Sequence, residues 1–241
     1  MNVLKGFVLA FNMLTIIPFF KIHNFFKGIN GFGVMFYPLI GFILGTIAYL
    51  LSLALEGLLP TPHLHLILFA LLLLLTGALH LDGFSDTIDG LFVPKERAEA
   101  AMKDPHVGGM GMTFSITFLL LKASSFIYLE ALYLLPVILM LSRFNVVLSI
   151  YFFPYIRQEG MSTLAKQEFT LTQLLFSVLG VLAVVIYTQT WALLLSSLIL
   201  LTLIKMFFTK RYGGFSGDIY GFMIELTELV LLNVLIVGAS L

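Results

Sequence analysis

Long apolar segments, each about the length of a membrane-spanning helix, are the feature of this chain that most limits its fold. The clearest lie at about residues 33–55, 63–79, 113–132, 134–153, 171–188, 190–208 and 223–240. A helix needs about 20 apolar residues to cross the hydrocarbon core of a bilayer. Only 11% of the 241 residues are charged, which is too few to cover a soluble protein of this size. We therefore predict an all-α, polytopic bundle in the lipid bilayer, with about seven transmembrane helices.

The N-terminal segment has a weaker pattern than these spans. Residues 3–20 are apolar, but Asn12 and Thr15 interrupt them and Pro18 ends the run. This composition is compatible with an interfacial or re-entrant helix and also with a further span. No linker, low-complexity tract or repeat divides the chain. We therefore predict one membrane-embedded domain over residues 1–241.

Basic residues in the long loops predict the orientation of the bundle. With the spans given above, three basic loops and the 21–30 segment fall on one side of the membrane; the loops carry Lys95, Arg97, Lys103, Arg157, Lys166, Lys210 and Arg211. The loops on the other side carry no Lys or Arg. Because Lys and Arg accumulate in cytoplasmic loops, this side is predicted to face the cytoplasm.

Charge and cysteine content exclude several classes of function. The chain has 13 basic and 13 acidic residues, so it has no general basic bias and nucleic acid is not expected as a partner. It has no cysteine, which excludes disulfides, thiolate metal sites and cysteine nucleophiles.

All five aspartates lie in only two loops, and three of them share one helical face. Asp82, Asp86 and Asp89 are spaced i, i+4, i+7, which on a helix places them within a stripe of about 60°. Three carboxylates on one stripe repel one another, and a divalent cation would relieve that repulsion. Mg²⁺ takes carboxylate oxygen together with water and substrate phosphate. The alternative is a solvated acidic helix end just outside the membrane.

Two glycine-rich segments carry further candidates. Between positions 210 and 228, backbone N–H groups beside two cations could hold phosphate, and three carboxylates continue into the last span; these residues are Lys210, Arg211, Gly213, Gly214, Gly217, Asp218, Glu225 and Glu228. The alternative is a flexible loop with a helix cap at Asp218. Between 97 and 111, Lys103 and Asp104 precede a glycine-rich turn that suits an anionic substrate, although an ordinary solvated loop has similar composition.

These three segments together resemble the cobalamin synthase family, adenosylcobinamide-GDP ribazoletransferase. GALHLDGFSDTIDGL at 77–91 is close to the family motif HLDG-x-x-D-x-x-DG. RYGGFSGDIYGFMIELTE at 211–228 is similar to GG-x-x-GD-x-x-G followed by E-x-x-E. MKDPHVGGMG at 102–111 departs from its motif, with Pro105 where Ser is usual. The matches follow family order and extend to the last helix.

The resemblance implies a reaction, a cofactor and a location. Adenosylcobinamide-GDP would react with α-ribazole, or its 5′-phosphate, to give adenosylcobalamin, or its 5′-phosphate, and GMP. Enzymes of this family require Mg²⁺ and are multi-pass proteins of the cell (inner) membrane. The expected active site faces the cytoplasm. A homo-oligomer is compatible with the sequence, which leaves open the number of metal ions and the preference between the two ribazole forms.

Phosphoryl transfer then suggests a role for each candidate residue. Asp82, Asp86, Asp89 and Asp218 are predicted metal ligands. Lys103, Lys210 and Arg211 are predicted to hold phosphate or the GDP moiety, with Gly213, Gly214 and Gly217. Asp104, Glu225 and Glu228 are predicted to orient or deprotonate the ribazole hydroxyl, with the identity of the base left open.

Two other classes of membrane protein compete with this interpretation. A CDP-alcohol phosphotransferase also uses Mg²⁺ and spaced aspartates, but Ser85 and Asp86 occupy the places where its motif requires Ala-Arg. A transporter would have polar residues at the membrane midplane and an inverted repeat. Here most carboxylates cluster at one predicted set of helix ends.

Overall fold

The computed structural model describes residues 2–17, 20–22 and 25–239. Within these ranges the chain forms one 3₁₀ turn, Leu132–Leu134, and twelve α-helices: α1 (Asn2–Leu14), α2 (Ile29–Met35), α3 (Tyr37–Ala54), α4 (Thr61–Leu75), α5 (Leu79–Leu91), α6 (Lys95–Met102), α7 (Gly109–Ile127), α8 (Leu135–Phe152), α9 (Met161–Glu168), α10 (Leu171–Thr188), α11 (Trp191–Tyr212) and α12 (Gly217–Ala239).

Six of these helices, α3, α7, α8, α10, α11 and α12, are long and apolar enough to cross a bilayer. A seventh crossing is available if α4 and α5 count as one bent span. The predicted all-α bundle of about seven transmembrane helices is therefore confirmed. With 13 residues, α1 is about 20 Å long and too short to span the bilayer. The predicted end of this segment at Pro18 lies outside the described residues.

A sharp bend of 80° separates α4 from α5. Two successive residues in the left-handed region, Gly77 with φ 60° and Ala78 with φ 53°, turn the chain there. The second predicted span, 63–79, therefore ends earlier, at Leu75, and a separate helix begins at Leu79. Because that helix carries Asp82, Asp86 and Asp89, the predicted helical stripe of carboxylates is confirmed.

Helix α8 is the centre of the bundle. Of its 18 residues 15 are buried, and α8 packs against α3, α10, α11 and α12. Its contact with α3 is close, because a Cβ at Gly41 would lie 2.2 Å from the carbonyl oxygen of Leu139. Small residues allow helix backbones to approach in this way inside membranes.

The loops at 92–108, 153–160 and 213–216 meet at one end of the bundle, which we call the basic end. Hydrogen bonds join these loops. The guanidinium of Arg211 donates to the carbonyl oxygen of Leu91 at 2.9 Å. The backbones of Ile156 and Phe215 form one hydrogen bond of a short parallel bridge, at 2.9 Å. The predicted grouping of the basic loops on one side is confirmed.

Candidate active site at the basic end

Helices α5 and α12 cross in direct backbone contact at the basic end. A Cβ on Gly83 would lie 2.9 Å from the carbonyl oxygen of Asp218, and a Cβ on Gly221 would lie 2.9 Å from that of His80. Glycine removes the side chain that would keep the two backbones apart. The crossing therefore places Asp218, the second residue of α12, beside the aspartates of α5.

Four charged side chains form what we call the aspartate cluster: Asp82, Asp86, Asp218 and Arg157. Asp82 is exposed, and the other three are partly buried. Asp82, Asp218 and Asp89 all repel the Asp86 carboxylate, and Arg157 attracts it. Arg157 also forms an ion pair with Asp218, whose carboxylate accepts a further hydrogen bond from Ser216 Oγ at 3.3 Å. Carboxylates from α5 and α12 thus lie close together at this end of the bundle.

Asp89 lies further along α5 and is tied to the start of α7. Its two carboxylate oxygens accept hydrogen bonds from the backbone N–H groups of Gly108 and Gly111, each at 2.8 Å. A Cβ at either glycine would lie 2.3 Å from an oxygen of Asp89. A metal ion at Asp89 would therefore have to share these oxygens with two backbone donors.

The cations predicted to bind phosphate occupy different environments. Lys103 is exposed and pairs with Glu99 at 2.7 Å, and Lys210 is also exposed. Arg211 is partly buried and donates to the carbonyl oxygens of Leu91 and Val93, so it joins the end of α11 to the loop after α5. The two lysines face solvent, whereas Arg211 also has a structural role.

Asp104 lies in the exposed loop before α7. Its carboxylate accepts hydrogen bonds from the backbone N–H and the ring Nδ1 of His106, both at 2.9 Å. These bonds hold the pKa of Asp104 below its usual value. A low pKa weakens a carboxylate as a proton acceptor, so this environment favours an orienting role at Asp104 over a basic one.

The three glycines of the last loop shape the turn between α11 and α12. Gly213 has φ 85° and ends α11 in the left-handed conformation that favours glycine. Gly214 packs so closely that a Cβ would lie 2.4 Å from the carbonyl oxygen of Pro154. Gly217 is the first residue of α12. A helix N-terminus attracts anions, which suits the phosphate role predicted for this loop.

The two remaining predicted carboxylates, Glu225 and Glu228, lie deeper in the bundle. Glu228 is ten residues after Asp218, about 15 Å along the helix axis. Lys122 Nζ lies 2.6 Å from an oxygen of each glutamate, and Arg143 forms an ion pair with Glu228. All four side chains are buried. Lys122 and Arg143 therefore face the bundle interior, and we call these four side chains the buried ion-pair cluster.

Comparison with known proteins assigns the chain to a protein family. A family model described as Cobalamin-5-phosphate synthase matches residues 6–236. The chain belongs to this family. It is 36% identical over 212 residues to a protein of Desulfitobacterium hafniense (strain Y51), covering 82% of this chain and 83% of the relative. It is 35% identical over 240 residues to a protein of Acinetobacter baumannii (strain ACICU), covering 96% and 97%. Both relatives are named adenosylcobinamide-GDP ribazoletransferase.

Membership of the cobalamin-5-phosphate synthase family makes the chain an enzyme of the transferase class. The resemblance found from the sequence motifs is therefore confirmed, and neither the CDP-alcohol phosphotransferase nor the transporter interpretation is needed. The apolar helices identify a multi-pass membrane protein. No solved structure matches this chain.

The aspartate cluster fits a divalent cation by its donor chemistry and by its placement. Among the described residues, no three carboxylate or imidazole groups stand ready to hold a metal ion by themselves. Asp218 instead directs its carboxylate at Arg157. Mg²⁺, however, is commonly bound by one or two carboxylates, with water and substrate phosphate completing the coordination. Asp82, Asp86 and Asp218 can supply that number of oxygens from two crossing helices.

Arg157 is the site residue that sequence reasoning did not single out. From the sequence it is only one of the loop cations that predict the orientation of the bundle. The aspartates themselves could have indicated such a residue, because carboxylates that share one site need a nearby positive charge when no metal is bound. The sequence could not say which of the basic residues provides it, since Arg157 and Asp218 are 61 positions apart.

Proposed function

We propose that this chain transfers the cobinamide phosphate group of adenosylcobinamide-GDP to α-ribazole, or to α-ribazole 5′-phosphate, with release of GMP. The observation that carries this proposal is the family match over residues 6–236, together with relatives that bear the transferase name and are matched over 83% and 97% of their length. The chemistry is a phosphoryl transfer. A ribose hydroxyl oxygen forms a bond to the cobinamide-side phosphorus, the bond from that phosphorus to the GMP oxygen breaks, and the hydroxyl proton passes to a base.

The proposed reaction depends on Mg²⁺ at the aspartate cluster. Asp82, Asp86 and Asp218 would hold the ion, and their location supports this because α5 and α12 bring them together at the crossing near Gly83. When bound, Mg²⁺ neutralises negative charge on the diphosphate and on the departing GMP. Asp89 remains a candidate ligand that also fixes the loop at 108–111 against α5.

The side chains around the cluster would position the anionic substrate. Lys103 and Lys210 are exposed at the basic end and can reach a nucleotide phosphate in solution. Gly217, at the start of α12, offers a helix N-terminus to the same group. Arg211 and Asp104 would act less directly, since each is already bonded to a neighbouring loop or residue.

For Glu225 and Glu228 the proposal favours a supporting role over that of the base. Both oxygens of Glu228 face cations or a hydroxyl donor, and Lys122 is shared between the two glutamates. Charges buried in a membrane protein need such partners. The cluster fixes α12 against α7 and α8, and thereby fixes the direction in which Asp218 enters the site.

We further propose that the basic end faces the cytoplasm and that the protein lies in the cell (inner) membrane. Lys and Arg are concentrated in the loops at this end, as expected for cytoplasmic loops. The nucleotide-bearing substrate would then reach the aspartate cluster directly from the cytoplasm.

The test is to incubate the purified protein with adenosylcobinamide-GDP, α-ribazole and Mg²⁺ and to measure GMP and the corrinoid product. We expect GMP release that depends on both substrates and on Mg²⁺. Asp86→Asn should reduce the rate by about 100-fold or more, because phosphoryl transfer depends on the lost charge neutralisation. Glu96→Gln, which removes an exposed carboxylate of α6, should retain the wild-type rate. Equal rates for Asp86→Asn and wild type would refute the role of the cluster.

A further inference from the structure

Arg157 forms an ion pair with Asp218 and thereby already contacts one of the proposed metal ligands. Its Nη2 bonds to an oxygen of Asp218, and its charge also attracts Asp86 and Glu99. Its Nε–H is buried and has no acceptor among the described residues. The planar guanidinium has five N–H donors, and only some of them have an acceptor in this structure.

The position of Arg157 affects both metal binding at Asp218 and binding of the anionic diphosphate. A divalent cation at Asp218 would lie beside a guanidinium that carries the same sign of charge, so each cation weakens the pairing of the other with this carboxylate. The anionic diphosphate, in turn, would meet a group of carboxylates at this end of the bundle. A planar guanidinium is well suited to bind phosphate through two parallel hydrogen bonds.

We propose that Arg157 is the counter-ion of Asp218 before metal and nucleotide bind, and that it then moves from Asp218 to the diphosphate of the substrate. This exchange rests on the proposed function of the aspartate cluster as a Mg²⁺ site. In the metal-free protein Arg157 balances the carboxylate charge. When the cation replaces it at Asp218, the released guanidinium provides a positive contact for the nucleotide.

The loop that carries Arg157 is built so that only the side chain needs to move. The backbone on its N-terminal side pairs with the last loop, through hydrogen bonds from Phe215 N–H to Pro154 and from Ile156 N–H to Phe215, each at 2.9 Å. On the other side, Thr163 Oγ1 donates to the carbonyl oxygen of Arg157 at 3.3 Å. A long side chain on a fixed backbone can alternate between two partners without a change in fold.

The exchange makes a prediction that ordinary phosphate binding by Arg157 does not make. Without nucleotide, Arg157→Gln should bind Mn²⁺ about fivefold more tightly than wild type, because the ion no longer competes with a charge-assisted hydrogen bond. The same variant should bind GDP, in the presence of Mn²⁺, about tenfold more weakly, because a charged phosphate contact is lost. Arg157→Lys should keep Mn²⁺ affinity near that of wild type and still weaken GDP binding, since lysine lacks the planar fork.

Mn²⁺ binding can be followed by electron paramagnetic resonance of the free ion, and GDP binding by equilibrium dialysis, both on the purified full chain. Arg97→Gln is the matched control, because it removes one exposed positive charge from the same end. It should change neither affinity. One outcome would overturn the exchange alone: wild type binds Mn²⁺, Asp82→Asn does not, and Arg157→Gln binds Mn²⁺ no more tightly than wild type. A wild-type protein without such a site would overturn both the exchange and the metal proposal.

Discussion

At the scale of single residues, the neighbours of each aspartate predict different effects of substitution. Asp82 is exposed, whereas Asp89 accepts hydrogen bonds from the N–H groups of Gly108 and Gly111. The two positions are only seven residues apart on α5 and share a face. They therefore allow the catalytic and the structural use of a carboxylate to be compared on one helix.

Asp89→Ala should lower the stability of the protein by about 1–2 kcal/mol, because the start of α7 loses an acceptor that bonds two backbone donors. Asp82→Ala should leave the unfolding temperature unchanged and abolish GMP release. Thermal unfolding in detergent, measured beside the activity assay, separates the two effects. Equal unfolding temperatures for Asp89→Ala and Asp82→Ala would contradict the anchoring role of Asp89.

Glu228→Gln should destabilise the protein by about 3 kcal/mol or more, because Arg143 and Lys122 would be left buried with too little negative charge. Glu130→Gln is the matched control, since Glu130 is exposed at the opposite end of the bundle. Denaturant titration in mixed micelles measures both variants. If Glu228→Gln were as stable as Glu130→Gln but inactive, Glu228 would be a catalytic residue and its supporting role would be refuted.

The sequence predicted which residues carry charge at the site, but only partly which of them meet. Spacing predicts Asp82 and Asp86 on one helical face, and cations within apolar segments, such as Lys122 and Arg143, need a partner in the bundle interior. The partners of these cations are more than 80 positions away in the chain. Such pairs depend on how helices pack against one another, which local spacing does not determine.

At the scale of helices, the α5–α12 crossing is the contact that joins the aspartates. Gly83→Ala should push these helices apart, because the new methyl group would lie 2.9 Å from a backbone oxygen. We expect a loss of about 1–3 kcal/mol in stability and a weaker Mn²⁺ site. Gly180→Ala is the control, because a Cβ there has no neighbour within 4 Å. Wild-type Mn²⁺ affinity in Gly83→Ala would show that the crossing does not build the site.

Hydropathy predicts where the spans lie, but it predicts less accurately the residues at which their polar ends begin or stop. The last span was predicted from residue 223, whereas α12 begins at Gly217. The difference arises because Asp218 and two neighbouring glycines lower the local apolar content although they continue the helix. The bend before α5 was also missed, since left-handed backbone at Ala78 is not favoured by its side chain and is imposed by the surrounding fold.

At the scale of the whole molecule, the orientation in the membrane can be tested on a chain that has no native cysteine. Gln167→Cys places an exposed thiol before the first residue of α10, and Gln189→Cys places one after its last residue. The two thiols therefore lie near opposite ends of this span. Intact cells are treated with a maleimide that passes their outer layer but does not cross the membrane that holds the protein. It should label position 189 in intact cells and position 167 only after lysis. The reverse pattern would place the basic end outside and would contradict a cytoplasmic active site.

The central physical claim is that carboxylates from two distant segments hold one divalent cation. Fe²⁺, bound in place of Mg²⁺ and activated by ascorbate and peroxide, cuts a protein backbone near the metal, and mass spectrometry locates the cuts. We predict cleavage both near residues 82–86 and near residue 218, with both cuts lost when Mg²⁺ is in excess or when Asp82 is replaced by Asn. Cleavage in only one of these segments, or at neither, would contradict the shared site.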